Sequence, residues 1–261
     1  MIIKDEDYRS FAALNFSGMK ILLKSPAHYR WSIDNPTKET KALRIGTMSH
    51  AAALQPEVFK NYVAGPDVNR TTKIGKEAWQ QFVDSLQPGQ IVSDPDEVAL
   101  ATKIGDRFRE LVASVGCEGF QYVETGFATD YADILFKCKI DAFGTDGYIY
   151  DLKTTEDASP KAFLREILNY KLNLQALLYR TLFEREFKTR PLGFRLVVIE
   201  KTEPYFGAVY TMGPELMHRA MLDLEECIKT FSKCTTANAW PAYESNSLLD
   251  LPKTESKSLT F

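Results

Sequence analysis

Three short runs in the middle of the chain, QYVETGFATD (121–130), DILFKCKIDAF (133–143) and YIYDLKT (148–154), are rich in β-branched and aromatic residues. Only turn residues separate them, Asp130-Tyr131 and then Gly144-Thr145-Asp146-Gly147. That spacing predicts consecutive antiparallel strands, because gaps so short cannot hold a crossover helix. Everything else must pack around this meander. On the N-terminal side the periodicity is helical. Ser17 reads as an N-cap for GMKILLK, and Ser25-Pro26 as a cap with proline at the first helical position for AHYRWSI. Asn35-Pro36 breaks that pattern, and 43–54 is a helix whose small residues suit close packing, ended before Pro56. Segment 64–76 reads as a loop before the helix EAWQQFVDSL, and Asp94-Pro95 caps a long helix to about Val115.

After the meander come helices at about 159–169 and 172–187, strands in GFRLVVIEK and YFGAVYTM, and a helix from Pro214 to about Phe231. The tail SNSLLDLPKTESKSLTF has no strong period. At 261 residues this predicts one mixed α/β domain, 1–261, with a helical part to about 115 and a sheet-and-helix core over about 116–235. No run approaches the ~18 apolar residues of a membrane span. The start MIIKDEDYRS is charged where a signal peptide is apolar, so a cytoplasmic chain with no membrane partner is expected. Cys117, Cys138, Cys227 and Cys234 lack CxxC spacing and are expected to be reduced, packed thiols. The net charge of −3 excludes a histone-like coat. It leaves room for an enzyme that separates a basic channel from an acidic site.

The chemistry concentrates in Asp141 and, ten residues on, Asp151-Leu152-Lys153. On a strand, Asp151 and Lys153 share one face and Leu152 points to the other. If 133–143 and 147–153 form a hairpin, Asp141 lies opposite, and the Leu152 carbonyl stays available at the same edge. Two carboxylates and a carbonyl make a hard-oxygen site suited to Mg²⁺ or Mn²⁺. The Lys153 ammonium beside them can orient a water or hold charge on a phosphoryl transition state. An Asp-x-Lys strand is also what a solvated face looks like. His50, in the helix at 43–54, is either a packed histidine or a further ligand. Gln175 and Tyr179 share a helix face away from the stripe of Leu174, Leu177 and Leu178. That face suits either solvent or a bond to a phosphate or a catalytic carboxylate.

In this order, G-x-x-x-H on an N-terminal helix, D-x(n)-(D/E)-x-K on strands and Q-x-x-x-Y on a later helix, the chain resembles the PD-(D/E)xK nucleases. It is most similar to RecE-type exonucleases (exonuclease VIII), related to lambda exonuclease. SGMKILLKSPAHYRW, LRIGTMSHAAALQPEVFKNYV, NRTTKIGKE and YIYDLKTTED through NLQALLY carry the likeness. The resemblance implies a restriction-endonuclease-like core, a central mixed β-sheet flanked by helices. It implies Asp141, Asp151 and the Leu152 carbonyl as main Mg²⁺ ligands, with Mn²⁺ able to substitute and His50 as a further ligand. Lys153 is the implied catalytic lysine, with Gln175 and Tyr179 in the helix motif and Glu124 as a strand glutamate near a second metal position. The implied activity is a Mg²⁺-dependent 5′-to-3′ exonuclease acting processively on duplex DNA ends and leaving 3′ single-stranded tails for annealing-type recombination. The implied partners are further copies in a ring of three or four subunits and a RecT-like single-strand annealing protein. An endonuclease on the same fold and a catalytically idle DNA-binding module are the alternatives. Arg70, Lys73 and Lys76, with Thr71 and Thr72, are candidate phosphate contacts, as are the cations spread over 161–190.

Overall fold

In the computed structural model, which describes residues 1–36 and 38–243, the three central runs are strands of one six-stranded sheet. The N-terminal elements are β1 (Ile2–Ile3), α1 (Asp5–Tyr8), α2 (Phe16–Leu22), α3 (Pro26–Asp34), α4 (Lys41–Leu54), α5 (Pro56–Phe59), β2 (Tyr62–Ala64), α6 (Lys73–Asp84), β3 (Ile91–Ser93) and α7 (Pro95–Ser114). Then follow β4 (Phe120–Tyr131), β5 (Ile134–Gly144), β6 (Tyr148–Thr155), α8 (Pro160–Tyr170), α9 (Leu172–Phe187), β7 (Gly193–Glu200), β8 (Gly207–Thr211) and α10 (Pro214–Ala237). The unperiodic tail 245–261 lies outside the described residues.

The sheet order is β1-β4-β5-β6-β7-β8, antiparallel throughout except for the parallel pair β6–β7. The connection from β6 to β7 runs through α8 and α9, the crossover that a parallel pair requires. Helices cover both faces. On one side Phe136, Cys138, Ile140 and Ile149 pack with Leu174, Leu178 and Phe183 of α9 and with Met19 and Leu22 of α2. On the other side Ala142, Tyr150, Leu152 and Val197 pack with Ile104, Phe108 and Leu111 of α7 and with Ala53 of α4. All four cysteines are buried and free. No helix among the described residues is long and apolar enough to cross a membrane.

Several boundaries differ from the sequence expectation. The cap of α2 is Asn15, whose side chain accepts from the Gly18 N–H, rather than Ser17. Asn is as good a cap as Ser, and starting two residues earlier buries Phe16. Ser25 does cap α3, with Pro26 at its first position. The expected loop over 64–76 gives way to a helix at Lys73, capped by the Thr72 side chain. A Cβ on Gly75 would sit 1.9 Å from the Asn69 carbonyl oxygen, so glycine lets this loop fold back onto the first turn of α6. The last helix runs on to Ala237. The strands β1, β2 and β3 were not expected, since two or three residues are too few to show alternation.

Candidate active site

The strands β5 and β6 are paired only through Ala142–Tyr150 and Phe143–Ile149. One step further, where Asp141 would face Asp151, the ladder stops and the Asp141 carboxylate takes the Leu152 N–H at 2.8 Å. On its other edge β6 pairs with β7 along its whole length, so the strand stays straight while β5 turns away. In an extended strand the N–H and C=O of one residue point to the same side. The Leu152 carbonyl therefore faces the same fork as its N–H. Leu152 itself is buried on the α7 side, which sends Asp151 and Lys153 to the α9 side.

Asp151 is almost wholly buried, and its two oxygens are treated differently. Oδ1 accepts from Gln175 Nε2 at 2.6 Å, and Oδ2 is in ion contact with Lys153 Nζ. Oδ2 accepts no hydrogen bond of regular geometry among the described residues, and neither does the buried Gln175 Oε1. Gln175 and Tyr179 are both buried rather than turned off the core, because α9 is covered on nearly every side. The face assigned to solvent or to a carboxylate partner thus meets a carboxylate. A cavity of about 550 Å³ opens beside this group, lined among others by Lys153, Lys20, Ser17, Gln175, Tyr179 and Lys201.

On the other side of the fork, one donor atom each from His50, Glu124 and Asp141 lie within 4.8 Å of one another. His50 Nδ1 is 3.2 Å from Glu124 Oε1 and 3.4 Å from Asp141 Oδ2. The histidine arrives on α4, whose C-terminal half is the small-residue run Ala51-Ala52-Ala53 packed on α7. Glu124 has a left-handed backbone, φ 44°, inside an otherwise extended strand. Near this point the inward face of β5 changes parity, since Ile140 packs toward α9 and Ala142 toward α7. A local kink of this kind re-aims a side chain at a site. Lys139 Nζ closes the group, 2.9 Å from Glu124 Oε2 and 2.6 Å from Asp5 Oδ1.

The charges are mutually dependent. Burial pushes the Asp141 carboxyl up to about 7, against the attraction of His50. Burial disfavours the charged His50 imidazole, but Asp141 and Glu124 outweigh it and raise its pKa to about 9. For Glu124 the burial penalty is overcome by His50 and Lys139, leaving its carboxyl below the usual range. Two carboxylates and an imidazole held this close are a set of donors that could hold a cation.

Of the residues singled out in the sequence, the fold gathers Asp141, Asp151, Leu152, Lys153, Glu124, His50, Gln175 and Tyr179 at this fork. Arg70, Lys73 and Lys76 stand elsewhere, at the exposed start of α6. Arg70 stacks 3.3 Å over the Trp79 ring, and Lys73 and Lys76 lie on the helix rather than in a loop. Among the 161–190 cations, Lys171 is bound to Asp223, and Arg185 donates to the Asp130 carbonyl. Lys139, Lys20 and Lys201 were missed; Lys139 and Lys201 meet acids remote in sequence, Lys20 reaches the cavity wall from α2, and no spacing signals any of these.

A family model described as a PDDEXK-like domain of unknown function (DUF3799) matches residues 15–249. No curated protein matches the chain. A crystal structure described as a "putative exonuclease" from Eubacterium rectale has a similar fold, with a TM-score of 0.59 over 97% of each chain at 11% identity.

Proposed function

We propose that this chain, which belongs to the PDDEXK-like domain family (DUF3799), is a divalent-metal-dependent nuclease of the RecE exonuclease type. The observation that carries the reading is the fork between β5 and β6. It brings Asp141, Asp151 and Lys153 together at the one place where the hairpin ladder is open. The donor set fits Mg²⁺ or Mn²⁺. Asp141, Asp151 and the Leu152 carbonyl supply hard oxygens, and His50 and Glu124 complete the group. When bound, such an ion supplies Lewis acidity toward a phosphodiester and lowers the pKa of water.

The chain's own residues do the rest. Gln175 fixes the rotamer of Asp151 by holding Oδ1, so that Oδ2 points at Lys153 and the fork. The Lys153 ammonium borders the cavity, where it can hold negative charge on a phosphate oxygen or orient the attacking water. Its charged form is secure, because Asp151 and Asp141 outweigh the penalty of burial and keep its pKa above the usual lysine value. Lys20 beside Lys153 on the same cavity wall suits a polyanion rather than a neutral ester, while Lys201 there is paired with Glu156. Duplex DNA as substrate, attack from an end with 5′-to-3′ polarity, 3′ tails as product, a ring of subunits and an annealing protein as partner all follow from the resemblance to RecE-type exonucleases.

Digestion of linear and covalently closed duplex, each with Mg²⁺ and with EDTA, tests this reading. Loss of linear DNA alone, and only with Mg²⁺, is the expected result. Labels at the 5′ and 3′ ends then give the polarity. Nicking of closed circles would favour an endonuclease, and no cleavage of either form would favour an idle binding module.

A further inference from the structure

Lys137, Lys139 and Asp141 alternate along β5, and the segment from Asp5 to Phe11, which follows the edge strand β1, lies against the two lysines. Lys137 Nζ donates to the carbonyls of Tyr8 and Phe11, each at 2.7 Å. Tyr8 lies so close to β4 that a Cβ on Gly126 would be 2.9 Å from its ring. The N-terminal segment is thus tied down next to the acidic cluster. Lys139 spans the remaining gap, from Asp5 Oδ1 to Glu124 Oε2.

Glu124 needs such a partner. Its backbone is in a left-handed conformation that a non-glycine residue adopts at a cost, and a free glutamate has several rotamers away from the cluster. Its two oxygens are divided, Oε1 toward His50 and Oε2 toward Lys139. We propose that Lys139 is a positioning residue that holds the Glu124 carboxylate in place for a divalent cation, and that Asp5, from the first helix, holds Lys139 in turn. This rests on the metal-site reading above. The acidic site at the middle of the sheet is then completed by the first turn of the chain.

Charge alone argues for the opposite effect. A lysine next to an anionic site repels an incoming cation, and if that were its only action, removing it would tighten metal binding. Orientation of a ligating carboxylate by a hydrogen-bonded partner works the other way. Loss of such a partner typically costs roughly 10- to 100-fold in metal affinity. The sign of the change therefore decides between the two.

The test is calorimetric titration of Mn²⁺ into the full chain, wild type and variants, with thermal melts in metal-free buffer alongside. Lys139→Met is expected to weaken Mn²⁺ binding by roughly 10-fold or more. Lys139→Arg, which keeps charge and reach, should restore most of it. Asp5→Asn should weaken binding several-fold with little change in the metal-free melt, since Asp5 is exposed. This variant carries the test should Lys139→Met fail to fold. Mn²⁺ affinity unchanged or increased in Lys139→Met, or in Asp5→Asn should the methionine variant not fold, would overturn the proposal. A wild-type chain that binds no Mn²⁺ would instead overturn the metal reading itself, which is a separate result.

Discussion

Lys153 and Asp151 stand two residues apart on β6 and face each other across one turn of the pleat, so their chemistry is a matter of fit as well as charge. Lys153→Arg retains the cation, but the planar guanidinium cannot occupy the compact position of the ammonium beside Asp151. It should lose most nuclease activity, at least 10-fold in turnover, with Lys153→Ala no better; near wild-type turnover in the arginine variant would reduce Lys153 to a general positive charge. Asp151→Ala should lower metal-free stability rather than relieve a crowd of acids. Asp151 has two partners, Lys153 and Gln175, and removing it strands both. A loss of about 2 kcal/mol is expected alongside loss of cleavage, read from denaturant melts in EDTA. The period-two rule predicts that Asp151 and Lys153 share a face of β6, as they do. The helical stripe left Gln175 open between solvent and a carboxylate, because a helix buried on nearly all sides has no off-core face for a stripe argument to identify. Lys139 left no trace at all, since a lysine on a strand reads the same whether it meets water or two carboxylates.

His50 is only as well placed as α4, and α4 is held by α7. The two helices approach so closely that a Cβ on Gly105 would lie 2.8 Å from the Ala52 backbone. Gly105→Ala should therefore push α4 outward, costing about 1–3 kcal/mol in overpacking and weakening Mn²⁺ binding through displacement of His50. A lower melting temperature with unchanged Mn²⁺ affinity would show that the histidine is insulated from its helix. At the other end of α4, Arg44 binds the buried Glu97 of α7 through two hydrogen bonds of 2.8 and 2.7 Å. That contact holds the Glu97 carboxyl below the usual glutamate range. A depressed carboxyl contributes stability above its unfolded pKa of about 4.3, and the contribution is lost as pH falls through the folded value. Glu97→Gln should thus lower stability at pH 7 and match the wild type once the pH falls below the depressed folded value; a gap that persists there would mean the amide fails for reasons of packing. The alanine run of α4 announced close packing in the sequence. Its partner Gly105 did not, because a glycine within a helix says nothing about which neighbour requires it. The same limit explains the missed strands β1 to β3, which exist through tertiary pairing and are too short to carry a period.

Across the whole molecule the net charge is −3, so a duplex cannot be held by overall attraction and must meet localised cations. The sequence offered two groups, and the fold treats them differently. Over 161–190 the charge is partly spent, with Lys171 paired to Asp223 and Arg185 on a backbone carbonyl. Arg70, Lys73 and Lys76 remain exposed on a structured surface, where Thr72 caps α6 and the Asn69 side chain accepts from the Thr71 N–H and hydroxyl. Each phosphate contact steepens the plot of log affinity against log salt by roughly 0.9. Replacing all three by alanine should flatten that slope by up to about 2.7, and should weaken every duplex sequence alike, since phosphate contacts position DNA without reading it. The change should fall short of that limit if Arg70 stays stacked on Trp79 rather than turning to the backbone. The measurement is a salt titration of duplex affinity, wild type against the triple variant, with Ca²⁺ in place of Mg²⁺ to stop cleavage. Cleavage of short duplexes at saturating concentration should be nearly unaffected, because none of the three residues is part of the fork. Identical salt slopes would move the DNA path away from α6 and toward the lysines of the cavity beside Lys153.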